Sequence, residues 1–567
     1  MERIWLDHYP AGIPAEITDE AAKYDSLVSI LEESCGRHAD SIAYYSLGAS
    51  MTYAELDKYS GQFAAWLQAK GLKKGDRVSL MMPNLLQYPV CLFGTLRAGG
   101  VVVNTNPLYT ATELHHQLKD SGARIIVIAE NFAHTLQDAM ADTAVDTVVL
   151  TALGDMLGTL KGTLTNLVVR HVKKMVPAFQ LPGALQLKQV LAQGARAKYD
   201  KPALRHDDMA LLQYTGGTTG VAKGAVLTHG NMVSNVCQAH AWVQPYIHGP
   251  QCIITALPLY HIFALTANCL TFIVLGASNV LIVNPRDIPA VVKTMGKHRF
   301  TAITGVNTLF NAFLHNADFA KLDFSSLKFT LGGGMAVQEV IAKRWLACTG
   351  VPLAQAYGLT ETSPAVTINP LDNKEFTGSI GLPVPSTDIA IRDDQGQDMP
   401  QGESGEICVR GPQVTPGYWN RPDETAKVMD ADGFLHTGDI GYVNEQGYVF
   451  ILDRKKDMIN VSGFNVYPNE IEAVAAEHPD VKEVAAVGVS NEHSGEVVKL
   501  FVIRKDNKVT EKELIEYCRG KLTGYKVPKY VEFRDDLPRT NVGKVLRREL
   551  KESKTAPSPS RSGNGSS

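Results

Sequence analysis

The chain has 567 residues, of which 45% are hydrophobic, so it can bury a large core and is too long for one ordinary domain. Its net charge is −4, so the overall charge does not imply a strong electrostatic attraction to nucleic acid or to an anionic membrane. Eight cysteines without a C-x-x-C pair argue against a zinc site and suit a reducing cytoplasm, and the acidic N-terminus lacks a secretory signal.

Strand-like and helical patterns alternate through the first two-thirds of the chain, which predicts an α/β fold with mostly parallel sheets. Predicted strands are 124–128, 147–150, 280–283 and 301–304, and predicted helices are 52–70 and 289–297. Polar residues, proline and glycine interrupt the apolar stretch 253–283. We therefore expect a buried helix and a buried strand there, and not a membrane span.

The sequence pattern changes near residue 379, where residues typical of turns separate short predicted strands at 406–409 and 448–452. The charged cluster 453–457 comes next, followed by a predicted helix at 468–476, strands at 483–489 and 497–503, and a helix at 510–521. These patterns predict an N-terminal domain (1–452) with a small β-rich subdomain (about 379–452), a linking segment (453–457), a small α+β domain (458–552) and a disordered tail (553–567).

Apolar residues recur at helical spacing between 156 and 175, with five basic residues among them. Such a helix lies either on a membrane surface or against the protein with a solvated basic end, and both interpretations stay open.

Residues 214–224 read Y-T-G-G-T-T-G-V-A-K-G and are the most informative segment of the chain. Glycines bring backbone N–H groups against a ligand, threonine hydroxyls donate to phosphate oxygens, and Lys223 adds a positive charge. Ala222 and Gly224 break the Walker A spacing. Apolar runs on both sides predict a loop between two buried strands. The candidate phosphate-binding residues are Thr215, Gly216, Gly217, Thr218, Thr219, Gly220, Lys223 and Gly224.

Two further segments fit a nucleotide. The glycines of L-G-G-G-M permit the close approach of a flat ring, and A-Y-G-L-T-E-T offers an aromatic face, a hydroxyl and a carboxylate that suits Mg²⁺. Singly, each also fits a tight turn or a surface carboxylate. The candidate residues are Gly332, Gly333, Gly334, Tyr357, Gly358, Thr360 and Glu361.

Later in the chain, Asp439 stands in a glycine-containing turn and can accept both hydroxyls of a ribose, and Arg454 can contact ribose or phosphate. Ser462 and Gly463 form a loop that opens a helix, and Lys544 follows a glycine near the C-terminus. A hairpin, a turn and a solvated lysine explain these features equally well when each is taken alone.

In this order, the segments closely resemble the adenylate-forming superfamily of acyl-CoA synthetases, luciferases and nonribosomal adenylation domains, from about residue 26 to 550. Segments 257–263, 432–456 and 463–468 most resemble bacterial long-chain fatty acyl-CoA synthetases. The resemblance implies that a fatty acid and ATP form acyl-adenylate and pyrophosphate, and that CoA then releases AMP. Mg²⁺ is the implied cofactor, and the acyl-CoA would feed fatty acid degradation or lipid synthesis.

The resemblance also implies residue roles. Residues 215–224 hold the β- and γ-phosphates, 332–334 with Tyr357 frame adenine, Thr360 touches the α-phosphate, Glu361 binds Mg²⁺, and Asp439 and Arg454 contact ribose and phosphate. Lys544 bridges the α-phosphate and the attacking carboxylate, and His261 and Phe263 form the substrate gate. Lys456 is the hinge of a mobile C-terminal domain. Ser462 and Gly463 line the CoA tunnel. Gly216 and Ala222, where many members have Ser and Pro, predict a looser loop.

Three alternatives stay in view. An amino-acid adenylation domain is disfavoured because segment 259–263 has no acid and the run 264–275 is apolar. A fatty acyl-AMP ligase that serves a carrier protein is closer, and a non-catalytic nucleotide or lipid sensor is the rival from another class. We expect a cytoplasmic protein without a nucleic-acid partner; peripheral contact with the inner membrane and a homodimer stay open.

Overall fold

The computed structural model describes residues 2–215, 222–462, 464–491, 494–506, 508–540 and 543–552. The predicted disordered tail lies outside these residues. Contacts divide the chain into two compact units, Met1–Thr437 with Gly441–Ile451, and Gly438–Ile440 with Leu452–Ser567. The domain limits read from the sequence stay predictions.

The strands of the described residues are β1 (Ile42–Ser46), β2 (Ala49–Thr52), β3 (Arg77–Met81), β4 (Val101–Asn104), β5 (Ile125–Ala129), β6 (Thr147–Thr151), β7 (Leu185–Gln186), β8 (Met209–Thr215), β9 (Lys223–Thr228), β10 (Cys252–Thr255), β11 (Ser278–Leu281), β12 (Ala302–Gly305), β13 (Phe329–Gly332), β14 (Leu353–Gly358), β15 (Ala365–Ile368), β16 (Leu382–Pro383), β17 (Asp388–Arg392), β18 (Gly405–Arg410), β19 (Leu435–Val443), β20 (Val449–Arg454), β21 (Ile459–Val461), β22 (Phe464–Val466), β23 (Val481–Asn491), β24 (Gly495–Arg504) and β25 (Tyr530–Phe533).

The α-helices of the same residues are α1 (Thr18–Ala21), α2 (Leu27–Arg37), α3 (Tyr53–Ala69), α4 (Gln87–Arg97), α5 (Ala111–Ser121), α6 (Ala133–Ala139), α7 (Thr159–Leu167), α8 (Leu187–Gly194), α9 (His229–Val243), α10 (Ile262–Ala264), α11 (Thr271–Val274), α12 (Ile288–Met295), α13 (Asn307–Leu314), α14 (Glu339–Thr349), α15 (Pro422–Ala426), α16 (Pro468–Ala476), α17 (Glu511–Arg519) and α18 (Arg547–Glu552). Two π-helical segments, Val168–Val172 and Leu265–Leu270, continue α7 and α10, and Thr360–Thr362 forms a 3₁₀ turn.

Two large sheets build the first unit. In the described residues one has nine strands in the order β16-β15-β14-β13-β12-β10-β11-β1-β2, and the other has seven in the order β7-β6-β5-β3-β4-β8-β9. The interior pairs are parallel, and antiparallel pairs such as β1–β2 and β8–β9 lie at the edges. Every residue of the central strand β5 is buried, as expected for a parallel strand covered on both faces. The predicted α/β fold with mostly parallel sheets is confirmed.

The later elements follow their local sequence signals. Strands β17, β18, β19 and β20 form a small sheet in that order. In the second unit, β21 to β25 form a mixed sheet with its own apolar core. Helix α16 begins at Pro468, a residue suited to the first turn, and Thr510 caps α17 by accepting from the Glu513 N–H at 3.3 Å. This unit is the small α+β domain that the sequence predicts.

The apolar stretch 253–283 is not continuous secondary structure. Strand β10 enters it, the helical segment from α10 to α11 fills its middle, and β11 leaves it. The strand predicted at 280–283 lies two residues earlier, because β11 aligns Ser278 with Cys252 of β10. Among the described residues, no helix has both the length and the apolar character needed to cross a membrane.

Candidate active site

The predicted phosphate loop lies between two paired strands of the seven-stranded sheet. Strands β8 and β9 are antiparallel, and their register places Thr215 opposite Lys223 and Tyr214 opposite Gly224. The two ends of the loop therefore meet, and a Cβ atom on Gly224 would lie 3.1 Å from the Tyr214 ring. The candidate residues Gly216, Gly217, Thr218, Thr219 and Gly220 lie outside the described residues.

Glu361 and Lys223 approach each other through Tyr418. Glu361 stands in the 3₁₀ turn that also holds Thr360, and the Tyr418 hydroxyl donates to Glu361 Oε1 at 2.7 Å. The Lys223 ammonium lies 5.2 Å from the centre of the Tyr418 ring. Burial and the neighbouring Glu361 carboxylate raise the pKa of Tyr418, so the phenol keeps its proton and stays a donor. The structure thus joins the predicted metal ligand to the predicted phosphate lysine.

The glycine segment 332–334 begins at the last residue of β13, at the carboxyl end of parallel strands where ligands of open α/β sheets bind. A Cβ atom on Gly333 would lie 3.1 Å from the Phe263 ring and 3.2 Å from the Ala356 carbonyl oxygen. A Cβ on Gly358 would overlap the Pro364 carbonyl oxygen at 1.9 Å. Gly358 therefore requires glycine, whereas a side chain at Gly333 would need the Phe263 ring or the backbone to shift by a few tenths of an ångström. Tyr357 directly precedes Gly358 on β14, and its side chain is half-buried.

The predicted substrate gate begins at α10. His261 precedes this helix, and its Nδ1 accepts from the Phe263 N–H at 3.3 Å. Phe263 is thereby held beside Gly333, which joins the gate to the glycine segment. The residues that follow, from Ala264 through Ile273, are mostly buried, so core packing explains the apolar character of this run.

In the second unit, Asp439 and Arg454 form an ion pair. Arg454 Nε lies 2.7 Å from Asp439 Oδ1, and the carboxylate side chain is fully buried. The Lys455 N–H donates to the Gly438 carbonyl at 2.9 Å, which ties the two short segments together. The structure therefore brings the two predicted ribose and phosphate contacts into one charged pair.

The predicted hinge and CoA loop are also turns of the second unit. Lys456 is exposed in a turn that the Asp457 N–H closes by donating to the Arg454 carbonyl at 3.0 Å. Ser462 has φ of +53°, in the left-handed region, and its N–H donates to the Ser494 carbonyl at 2.8 Å. Gly463 lies outside the described residues.

Lys544 is tied to Thr540 by two hydrogen bonds. The Thr540 N–H donates to the Lys544 carbonyl at 2.7 Å, and the Lys544 N–H donates to the Thr540 hydroxyl at 3.1 Å. Arg547, at the start of α18, lies 3.0 Å from Asp453 and 2.9 Å from Glu472. The loop is thus continuous with a buried ionic anchor.

Three contact residues were missed by sequence reasoning, namely Tyr418, Glu424 and Arg547. Lys223 and Glu424 form an ion pair, and two lysines that contact Glu424, first Lys223 and then Lys427, lower its pKa to about 2. The segment G-Y-W-N-R-P-D-E-T (417–425) carries aromatic and charged residues around a proline, which is the signal that could have drawn attention to it.

Comparisons with known proteins identify the family of the chain. Residues 31–419 match the AMP-binding enzyme family, and residues 470–544 match the AMP-binding enzyme C-terminal domain. A long-chain-fatty-acid–CoA ligase of Escherichia coli O6:H1 is 58% identical over 97% of this chain and 98% of that protein. One from Haemophilus influenzae is 51% identical over 99% of this chain and 100% of that protein.

The solved structures extend the likeness to the fold. The ATP-bound MatB protein of Rhodopseudomonas palustris matches with a TM-score of 0.79 and 30% identity, covering 93% of this chain and 98% of that one. The family models and these relatives span nearly the whole chain, including both compact units. The chain therefore belongs to the AMP-binding enzymes, and its resemblance to their long-chain fatty acid–CoA ligases is confirmed.

Proposed function

We propose that the chain is an ATP-dependent, AMP-forming long-chain fatty acid–CoA ligase. A fatty carboxylate attacks the α-phosphorus of ATP, which forms the acyl-adenylate and breaks the bond to pyrophosphate. The thiol of CoA then attacks the adenylate carbonyl, which forms the thioester and releases AMP. The observation that carries this proposal is the 58% identity over 97% of the chain to a ligase of that name. The product would feed fatty acid degradation or lipid synthesis.

The first half-reaction brings a carboxylate anion against a polyphosphate. In our proposal Lys223 meets the β- and γ-phosphates, and Lys544 meets the α-phosphate and the attacking carboxylate, so both screen the repulsion. Glu361 would hold Mg²⁺, which supplies further positive charge to the phosphates. An oxygen donor of this kind fits, because Mg²⁺ is usually bound through one or two carboxylates together with substrate phosphates.

The second half-reaction requires other groups at the adenylate. We propose that the α+β unit (458–552) turns about Lys456, which withdraws Lys544 and presents Ser462 and Gly463 to CoA. The turn at 455–457 supports a hinge here, since a few turn residues can absorb a large backbone change. The linking segment 453–457 and the limits 1–452 and 458–552 are part of this proposal.

An acyl-chain series tests the proposed activity. Acids of about twelve to eighteen carbons should exceed acetate and amino acids in kcat/KM by well over tenfold, because each CH₂ contributes about 0.8 kcal/mol. AMP release is measured with and without CoA, beside ATP–pyrophosphate exchange. Exchange without CoA-dependent AMP release would identify a fatty acyl-AMP ligase, and no exchange would identify a sensor. A preference for acetate or an amino acid would contradict the proposed substrate.

A second proposal concerns the membrane, and helix α7 with its π-helical continuation carries it. Leu160, Leu164 and Leu167 follow helical spacing on one face and are 87%, 63% and 52% exposed. Gly162 and Asn166 lie on the opposite face and are buried. The helix therefore turns its polar side to the protein and its leucines outward, which is the reverse of an ordinary packed helix.

Polar contacts hold the helix in this orientation. Glu130 accepts from Arg170 at 2.6 and 2.9 Å, and Asn166 Oδ1 accepts from the Gly154 N–H at 2.7 Å. The outward face is flanked by the exposed residues Lys161, His171, Val172, Lys173, Lys174 and Met175. Apolar side chains among basic ones match an anionic phospholipid surface. We therefore propose a peripheral contact with the inner face of the cytoplasmic membrane.

Vesicle sedimentation tests this contact. The full chain should bind phosphatidylglycerol vesicles, less in high salt, and L164E should bind at least about tenfold more weakly, since a buried leucine contributes roughly 1.5–3 kcal/mol. The matched control is L108E, which changes a leucine exposed to 50% elsewhere in the chain. Equal binding by the two variants would contradict the proposal.

We also propose a homodimer, which light scattering of the full chain tests.

A further inference from the structure

The phosphate lysine has a charged neighbour that comes from a distant part of the chain. Glu424, on α15, accepts from the Lys223 ammonium, and the two residues are 201 positions apart. Their side chains are 31% and 23% exposed, so the pair is partly shielded from solvent. Such a contact restrains a lysine side chain that would otherwise sample many rotamers.

Backbone hydrogen bonds fix the segment that carries Glu424. The Trp419 N–H donates to the Gly224 carbonyl at 2.8 Å, and the Val226 N–H donates to the Gly417 carbonyl at 3.0 Å. The Thr425 hydroxyl, next to Glu424, accepts from the Tyr418 N–H at 2.9 Å. Because β9 and this segment are joined at Gly224 and Val226, directly after Lys223, the ion pair belongs to the framework and is not a loose surface contact.

The charges around the pair leave Lys223 available to an anion. The second oxygen of Glu424 lies 2.5 Å from the Lys427 ammonium. One carboxylate therefore serves two lysines, and the trio keeps a net positive charge. The Lys223 ammonium also lies 5.2 Å from the centre of the Tyr418 ring, whose hydroxyl donates to Glu361. The ammonium therefore contacts both α15 and the tyrosine that binds the proposed Mg²⁺ ligand.

We propose that Glu424 is a positioning residue for ATP, which orients the Lys223 ammonium toward the β- and γ-phosphates before the nucleotide arrives. This inference rests on the proposed function. An ammonium that is already oriented loses less conformational freedom when it binds phosphate, so ATP binds more tightly. AMP lacks these phosphates and should not depend on Glu424.

Calorimetric titration of ATP and of AMP, with Mg²⁺ and without fatty acid, tests the proposal. We expect E424Q to bind ATP about fivefold to tenfold more weakly than the wild type and AMP within about twofold, the range of coupling between contacting charges. K427M is the matched control, because it removes the lysine that directly follows α15 and keeps the Lys223–Glu424 pair; it should bind ATP within about twofold of the wild type. E424D should recover part of the loss.

A double variant separates positioning from a general defect. If Glu424 acts through Lys223, adding E424Q to K223M should not weaken ATP binding further. ATP binding by E424Q as tight as, or tighter than, that of the wild type would overturn the proposal, as would additive losses in the double variant. Equal losses for ATP and AMP would also overturn it, since they indicate a distorted site. A wild type that binds neither nucleotide would instead contradict the proposed function itself.

Discussion

Two lysines supply positive charge in the proposed ATP site, and the chain supports them differently. Lys223 is the first residue of strand β9, and its carboxylate partner is 201 residues away. Lys544 makes hydrogen bonds to the backbone and to the hydroxyl of Thr540, only four residues earlier. The first arrangement exists only when much of the first unit is folded, whereas the second can form within a short loop. We infer that Lys223 is a fixed part of its unit and that the Lys544 loop can move as one piece.

The anchor of the Lys544 loop is the largely buried guanidinium of Arg547. It lies 3.0 Å from Asp453, 3.5 Å from Asp457 and 2.9 Å from Glu472, and the Arg547 side chain is 15% exposed. Burial raises the pKa of Asp453 and of Glu472, and the Arg547 charge opposes this rise. The contacts within the loop are therefore local in sequence, whereas the ion pairs of Arg547 join the residues after the loop to distant residues of the same unit.

The largest expected effect comes from removing that anchor. R547A should lower the free energy of opening of the second unit by about 3–5 kcal/mol, because it leaves buried carboxylates unpaired. Hydrogen exchange of peptides from β23 and β24 measures it, with K551A on the same helix as the control. Loss of Arg547 raises the carboxylate pKa values further above those of the unfolded chain. The deficit should therefore shrink as the pH falls from about 8 to about 5, and a deficit independent of pH would contradict this account.

Replacing the mobile lysine itself separates the two half-reactions. K544A should slow adenylate formation by roughly a hundredfold or more, the scale for one lost electrostatic contact with a transition state. Thiolation of preformed acyl-adenylate should be largely spared. ATP–pyrophosphate exchange and AMP release from synthetic palmitoyl-adenylate with CoA measure the two steps. Equal damage to both would show that Lys544 is structural, and K551A again serves as the control.

Restricting the proposed hinge should have the opposite pattern. K456P fixes φ near about −65° and removes an N–H, so it should trap the adenylation arrangement. Exchange should persist, and CoA-dependent AMP release should fall by at least about tenfold, since in our proposal rotation serves only the second step. K456A removes the ammonium without restricting the backbone and is the matched control. If both steps stay intact in K456P, with circular dichroism unchanged, Lys456 is not the hinge.

The smallest effect is expected from removing the Tyr418 hydroxyl, next to Lys223. Y418F removes the hydrogen bond to Glu361 and should raise the Mg²⁺ concentration for half-maximal exchange about threefold to tenfold, because a hydrogen bond of this kind contributes about 0.5–1.5 kcal/mol. The ring that faces Lys223 is kept, so the KM for ATP at saturating Mg²⁺ should change less. A larger change in that KM than in the Mg²⁺ dependence would contradict the assignment of Glu361 to the metal.

Local chemistry made much of the molecule predictable. Helix α16 spans the predicted residues 468–476 because proline and the apolar period mark it, and α3 begins after Thr52, whose hydroxyl accepts from the Glu55 N–H. The phosphate segment was identified because glycine, threonine and lysine together serve few purposes in a core. Gly333 shows the limit of this local prediction. The sequence predicts that another group approaches this glycine closely, but it does not predict that the group is the Phe263 ring.

Tertiary structure alone decided which partners meet and which faces point outward. The sequence predicted a helix with a leucine stripe, but periodicity states only which residues share a face, and not that Gly162 and Asn166 would be the buried ones. No local pattern pairs Glu424 with Lys223, because that contact depends on strand register and on hydrogen bonds between β9 and residues 417–419. By itself the sequence determined the secondary-structure elements and the chemistry of the loops. The ion pairs that orient the loop side chains, such as Lys223 with Glu424, come from packing between residues about two hundred positions apart.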